Sequence, residues 1–216
     1  MKRYFITGTD TDCGKTYVTC QLLDDLKDNN QRAMAIKPVA SGCIEQDGQL
    51  VSEDALHLQR HNGNLSQQIC AWRFKLPISP HLAAREAGET VSARVVADFC
   101  NDKSFADSDY LLVEGAGGLM APLNDDETWL DFLSYSQMPV ILVVGMRLGC
   151  LNHALLTEVA LKSHQIAFVG WIANCLDQEM QALSENIATL SQKLSGPLLA
   201  TIPYGGGING DVIQYL

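Results

Sequence analysis

Short apolar runs alternate along this chain with longer stretches of helical period. Residues 4–7, 33–37, 110–114, 140–144, 168–173 and 198–202 read as buried strands. The run at 140–144 is continuously apolar, the pattern of a strand covered on both faces. Residues 15–28 place Val18, Leu22, Leu23 and Leu26 on one helical face. Residues 152–163 set Leu155, Leu156, Val159 and Ala160 at helical spacing, and residues 178–193 do the same with Met180, Leu183, Ile187 and Leu190. Strand–helix alternation with right-handed crossovers predicts an α/β fold, a three-layer, doubly wound and mainly parallel sheet. Residues 41–76 are polar and predict a loop, a helix near 53–60 and a short edge strand. No repeat or linker divides the chain, so residues 1–216 read as one domain.

Ligands of such sheets gather at the carboxyl ends of the strands, and there the unusual polar residues fall. Gly8-Thr-Asp-Thr-Asp-Cys-Gly14-Lys15-Thr16 follows the first strand and opens a helix. In that setting backbone N–H groups hold phosphate, a lysine neutralises its charge and a hydroxyl ligates Mg²⁺. The fold expected is therefore P-loop NTPase-like. Five residues separate Gly8 from Gly14, where the usual loop has four. Lys37-Pro38-Val-Ala-Ser41-Gly42 follows the second strand; Lys37 reads as a surface lysine beside a turn or as a second cation for phosphate or carboxylate. Glu114, closing an apolar strand before Gly115-Ala116-Gly117-Gly118, has the Walker B arrangement. Asp54 reads by position as a helix cap. His57 and His61 read as a solvated helix face, and Asp24, Asp25 and Asp28 as a solvated helix end.

Composition narrows the classes. A net charge of −10 offers no basic field for nucleic acid. It does not exclude ATP, whose charge is neutralised locally. Seven cysteines without a C-x-x-C pair predict reduced thiols, and the absence of a leader or a long apolar run predicts a cytoplasmic protein away from membranes.

Taken together, 8–16, 37–42, Val113-Glu-Gly-Ala-Gly-Gly118, Pro139-Val-Ile-Leu-Val-Val-Gly145, Leu148-Gly-Cys-Leu-Asn-His-Ala154, Gly170-Trp-Ile-Ala-Asn174 and Ile202-Pro-Tyr204 resemble the dethiobiotin synthetase family, in order and across nearly the whole chain. The longer loop is that family's usual form. The resemblance implies conversion of 7,8-diaminononanoate, CO₂ and ATP to dethiobiotin, ADP and phosphate, with Mg²⁺ as cofactor and ATP as co-substrate. It implies Lys15 and Lys37 as catalytic residues, and Thr16, Asp54 and Glu114 as metal ligands. Nucleotide contacts fall on Asp12, Cys13, Gly14, Lys15, Thr16, Tyr17, Asp54, Glu114, Gly115, Ala116, Gly117, Asn174, Cys175, Pro203, Tyr204 and Gly205. Substrate contacts fall on Thr11, Ser41, Gly118, Leu151 and Asn152, and a homodimer places the far end of the substrate site at the subunit interface.

Three positions depart from the family. Asp12 stands where Glu is frequent, and Cys13 replaces a valine, a packing change. Gly205-Gly206-Gly207 leads into a short tail, from which a loose base pocket tolerant of other triphosphates is expected. Related amidoligases carry a glutaminase, which has no counterpart here. Partitioning ATPases carry an extra lysine early in the loop, where this chain has Thr9-Asp10-Thr11.

Overall fold

A computed structural model describes residues 1–63 and 68–216. In chain order the strands are β1 (Lys2–Gly8), β2 (Ala33–Ile36), β3 (Val39–Ala40), β4 (Ile44–Gln46), β5 (Gln49–Val51), β6 (Trp72–Arg73), β7 (Tyr110–Gly118), β8 (Val140–Met146), β9 (Phe168–Cys175) and β10 (Leu198–Ile202). The helices are α1 (Lys15–Asp28), α2 (Glu53–Asn62), α3 (Pro80–Glu86), α4 (Ala93–Cys100), α5 (Trp129–Ser136), α6 (Cys150–Ser163) and α7 (Leu183–Lys193).

The six apolar runs all lie in one sheet, ordered β10-β9-β8-β1-β7-β2, and every pairing is parallel. The residues of β8 alternate between two apolar clusters. Ile141 and Val143 join the larger one, while Leu142, Val144 and Met146 join the smaller one against α6 and α7. Both faces are therefore covered, as the unbroken apolar run requires. The chain leaves β1 toward β2 and β7, then crosses to β8 on the other side. This reversal opens a crevice at the carboxyl ends, where such folds bind ligands.

Four local expectations change. Strand β7 runs on to Gly118, so Glu114 lies inside it, in register with Ile6, rather than closing it. The short strand between 41 and 76 is no edge of the main sheet. β6 pairs with β3 in a separate ribbon, and β4 and β5 form a hairpin. Helix α7 starts at Leu183 because Ala182 takes a left-handed conformation at its cap; Met180 packs on the core from the preceding turn. On α6, Cys150, Ala154, Glu158 and Leu161 are the buried positions, whereas Leu156 and Val159 face outward, 58% and 62% exposed.

The core under the site is aromatic. Phe5 packs at 5.2 Å from both Trp129 and Phe132. The Trp129 indole N–H donates to the Ala116 carbonyl at 2.9 Å, tying the glycine-rich end of β7 to the core. A Cβ on Gly115 would stand 2.6 Å from the Phe5 ring, so this position has room only for glycine. Among the described residues no helix is long and apolar enough to cross a membrane.

Candidate active site

The loop between β1 and α1 turns through two left-handed residues, Asp12 (φ 54°) and Gly14 (φ 84°). The Asn174 amide packs so closely under Gly14 that a Cβ there would lie 2.1 Å from Nδ2. Nδ2 donates to the Cys13 carbonyl at 2.9 Å, fixing the loop from beneath. Cys13 itself is fully buried, in keeping with a packing role. Asp10 is the knot of the loop. Its carboxylate accepts from Thr11 N at 2.7 Å and from Arg147 Nη2 at 2.8 Å, and its carbonyl accepts from Lys15 Nζ at 2.9 Å.

Lys37 stands one residue beyond β2, its backbone N–H donating to Ile69 O at 3.0 Å. It is 5% exposed, and its Nζ lies 2.6 Å from both Glu114 Oε1 and Asp54 Oδ2. The Thr16 hydroxyl donates to the same Glu114 oxygen at 2.7 Å. Burial alone would lower the Lys37 ammonium, but Glu114 and Asp54 outweigh it and hold the group above the usual lysine range. Burial alone would raise Asp54; Lys37 and Thr16 outweigh it and lower the carboxyl. Lys37 is therefore no surface lysine. Asp54 is no cap either, since Ser52 takes that place, accepting from Ala55 N at 3.3 Å.

These groups open into a cleft of about 950 Å³. Of the expected residues, Thr11, Asp12, Gly14, Lys15, Thr16, Lys37, Ser41, Asp54, Glu114, Ala116, Gly117 and Gly118 line it. Several do not. Gly115 is buried against Phe5, and Cys175 is buried at the end of β9 behind the loop. Pro203, Tyr204 and Gly205 follow β10 and do not line the cleft, and the Tyr17 hydroxyl, also outside it, donates to the Gly206 carbonyl of that segment. Leu151 and Asn152 sit on the first turn of α6 outside the cleft, while His153, Leu156, Thr157 and Ala160 of that helix line it. Sequence reasoning missed the apolar wall of Pro77, Ile78 and Pro80 opposite Leu119–Pro122. The run Leu76-Pro77-Ile78-Ser79-Pro80, in which prolines interleave with two apolar residues, was the available signal; Leu76 and Ile78 are both exposed.

His57 is exposed as expected, but His61 Nδ1 meets Asp24 at 2.9 Å, joining α2 to α1, so Asp24 is not a freely solvated helix end. Among the described residues no three His, Cys, Asp or Glu side chains form a metal cluster. Two carboxylates and a hydroxyl do converge with oxygen donors only, and Glu114 Oε2 is buried with no hydrogen-bond partner among the described residues. This donor set fits Mg²⁺, which takes one or two carboxylates and completes its shell with substrate phosphates and water.

Residues 2–210 match a family described as an AAA domain. The chain is 54% identical to the ATP-dependent dethiobiotin synthetase BioD of Legionella pneumophila strain Philadelphia 1 over 97% of both chains. It is 43% identical to the protein of the same name from Cellvibrio japonicus, over 94% of this chain and 89% of the relative. Among solved structures, MinD from Pyrococcus horikoshii with Mg-ADP superposes with a TM-score of 0.56 at 19% identity, over 94% of this chain and 81% of that one. The MinC:MinD complex of Aquifex aeolicus gives 0.57 at 12% identity, over 100% and 84%. At such identity these two show the fold alone. The chain belongs to the ATP-dependent dethiobiotin synthetase family.

Proposed function

We propose that this member of the ATP-dependent dethiobiotin synthetase family carboxylates 7,8-diaminononanoate and closes its ureido ring, consuming ATP. One observation carries the reading. A buried lysine lies between two carboxylates at 2.6 Å, beside a phosphate-binding loop and within one cleft. One amine adds CO₂ to give a carbamate and a proton. A carbamate oxygen attacks the γ-phosphorus and releases ADP. The second amine then attacks the carbonyl carbon of the mixed anhydride and expels phosphate.

Such a sequence needs positioning and charge neutralisation rather than a protein nucleophile. Lys15 and Lys37 would cradle the carbamate oxygens and the transferring phosphoryl group. Thr11, Ser41 and Gly118 would hold the diamine end, while the apolar wall of the cleft shields its alkyl chain from water. Thr16, Asp54 and Glu114 would hold Mg²⁺, which when bound neutralises charge on the phosphate oxygens. Asn174, Cys175 and 203–205 would line the base site behind the loop, with Ala116 and Gly117 toward the phosphates and Gly115 supporting them from the core. Leu151 and Asn152, outside their own chain's cleft, would serve a partner subunit's site in a homodimer. The exposed Leu148, Leu156 and Val159 support that assembly. The reading includes a cytoplasmic setting, with neither nucleic acid nor membrane as partner.

The test incubates the protein with diaminononanoate, bicarbonate and MgATP and looks for dethiobiotin by mass. Dethiobiotin formed with one ADP per product is the expected result. Phosphate release indifferent to diamine, with no product, refutes the assignment.

A further inference from the structure

The glycine run after β10 is not loose. Thr201 and Asn209 exchange two backbone hydrogen bonds of 2.9 Å each, closing residues 202–208 into a loop. Within it one turn bond, Gly206 N to Pro203 O at 2.9 Å, restrains the backbone, and Gly205 adopts φ 65°. Three successive glycines have the largest conformational freedom to lose on ordering. What restrains the run comes from outside it. The Tyr17 hydroxyl donates to the Gly206 carbonyl at 2.7 Å, and Gln21 Oε1 accepts from Ile208 N at 3.2 Å. Both side chains rise from the first two turns of α1, the helix that the phosphate loop opens.

We infer that Tyr17 is a specificity-positioning residue for the purine base. Its hydroxyl clasps Gly206, and so holds Pro203-Tyr204-Gly205 at a fixed height beside the phosphate loop. Discrimination between bases requires hydrogen-bonding groups held in place, because an unmatched polar edge is costly only when the pocket cannot shift to relieve it. The clasp supplies that rigidity to a segment whose sequence lacks it. It also reverses the expectation of a tolerant base pocket. The inference rests on the proposed function only in placing the base against 203–205.

The test compares wild type with Tyr17→Phe, which removes one oxygen from a half-exposed side chain. Steady-state constants are measured for ATP and GTP, and dissociation constants for ADP and GDP by calorimetry. Loss of one such bond predicts a fall of about fivefold or more in the ATP over GTP ratio of kcat/KM, carried by the KM for ATP. The ADP over GDP affinity ratio falls in parallel, while the KM for diamine, which is held by other residues, stays within about twofold. Gln21→Ala, cutting the second strap, shifts the same ratios in the same direction and serves if the first variant fails to fold. Unchanged nucleotide ratios in both variants overturn the inference, as does an equal loss in the KM for diamine. Because calorimetry needs no turnover, an ADP preference weakened by Tyr17→Phe in a protein that makes no dethiobiotin would keep the clasp and remove the proposed reaction.

Discussion

Lys37 holds its charge where solvent scarcely reaches, and the two carboxylates that keep it charged are also the groups that suit a divalent cation. Lys37→Ala is expected to lower turnover by about 10³-fold, the scale of losing a group that stabilises developing charge. Loss of turnover with circular dichroism and nucleotide affinity retained marks a role in the reaction; near-normal turnover removes Lys37 from it. Glu114→Gln keeps the shape but removes the charge. The Mg²⁺ concentration for half-maximal turnover should rise about tenfold or more, and an unchanged titration counts against Glu114 as a ligand. Asp54 has its own pH signature. Its folded carboxyl is held below the ordinary 3.8, so its pairing with Lys37 stabilises the fold above that value and is lost as pH falls through the lowered one. The melting difference between wild type and Asp54→Asn should therefore be present at neutral pH and vanish in strong acid. A difference that persists there assigns it to packing instead.

The six strands were legible at the level of elements because a parallel strand buried on both faces carries its signal locally, in an unbroken apolar run. The same holds for α1, whose four expected core residues are all buried. Elements whose environment depends on distant neighbours were not legible. On α6, Leu156 and Val159 match the spacing of a core face, yet the sheet receives Ala154 and Leu161 instead. The residue that reverses the pattern is Glu158, a buried carboxylate that accepts from Ser195 N at 2.6 Å and Ser195 Oγ at 2.5 Å and meets Lys162 at 3.3 Å. No local rule places a charge inward. It is paired by a turn 37 positions away. For the same reason the loop and Lys37 were visible one by one, while the apolar wall they share the cleft with was not. Glu158→Ala removes a buried carboxylate and its two charge-assisted hydrogen bonds to the exposed Ser195, at about 1–3 kcal/mol, or roughly 2–4 °C of melting temperature per kcal/mol for a chain of this size. Burial would raise Glu158, but the Ser195 bonds override it and lower its carboxyl, so this stabilisation is present above the ordinary 4.5 and fades as pH falls through the lowered value. Calorimetric scans across acid pH check both the size and the sign.

For the whole molecule, the outward apolar face of α6 and the net charge act in opposition. Leu148 is fully exposed, and Leu156 and Val159 present two more large apolar side chains along the same helix and the loop before it. Large apolar side chains exposed along one helix suit the proposed homodimer interface. Two chains that each carry −10 repel one another, so association through this face has to overcome a charge penalty that salt screens. Dimerisation should therefore strengthen as ionic strength rises. Leu156 belongs both to this face and to the cleft wall, which makes the cleft sensitive to what covers α6. Val159 does not line the cleft, so Val159→Glu tests assembly without touching the substrate path. In sedimentation it should run as a single chain where the wild type runs as two. Its turnover should fall with a raised KM for diamine, while ADP affinity, set by the loop within one chain, holds within about twofold. A wild type that sediments as one chain at every salt concentration, or a variant that stays paired, removes α6 from the interface.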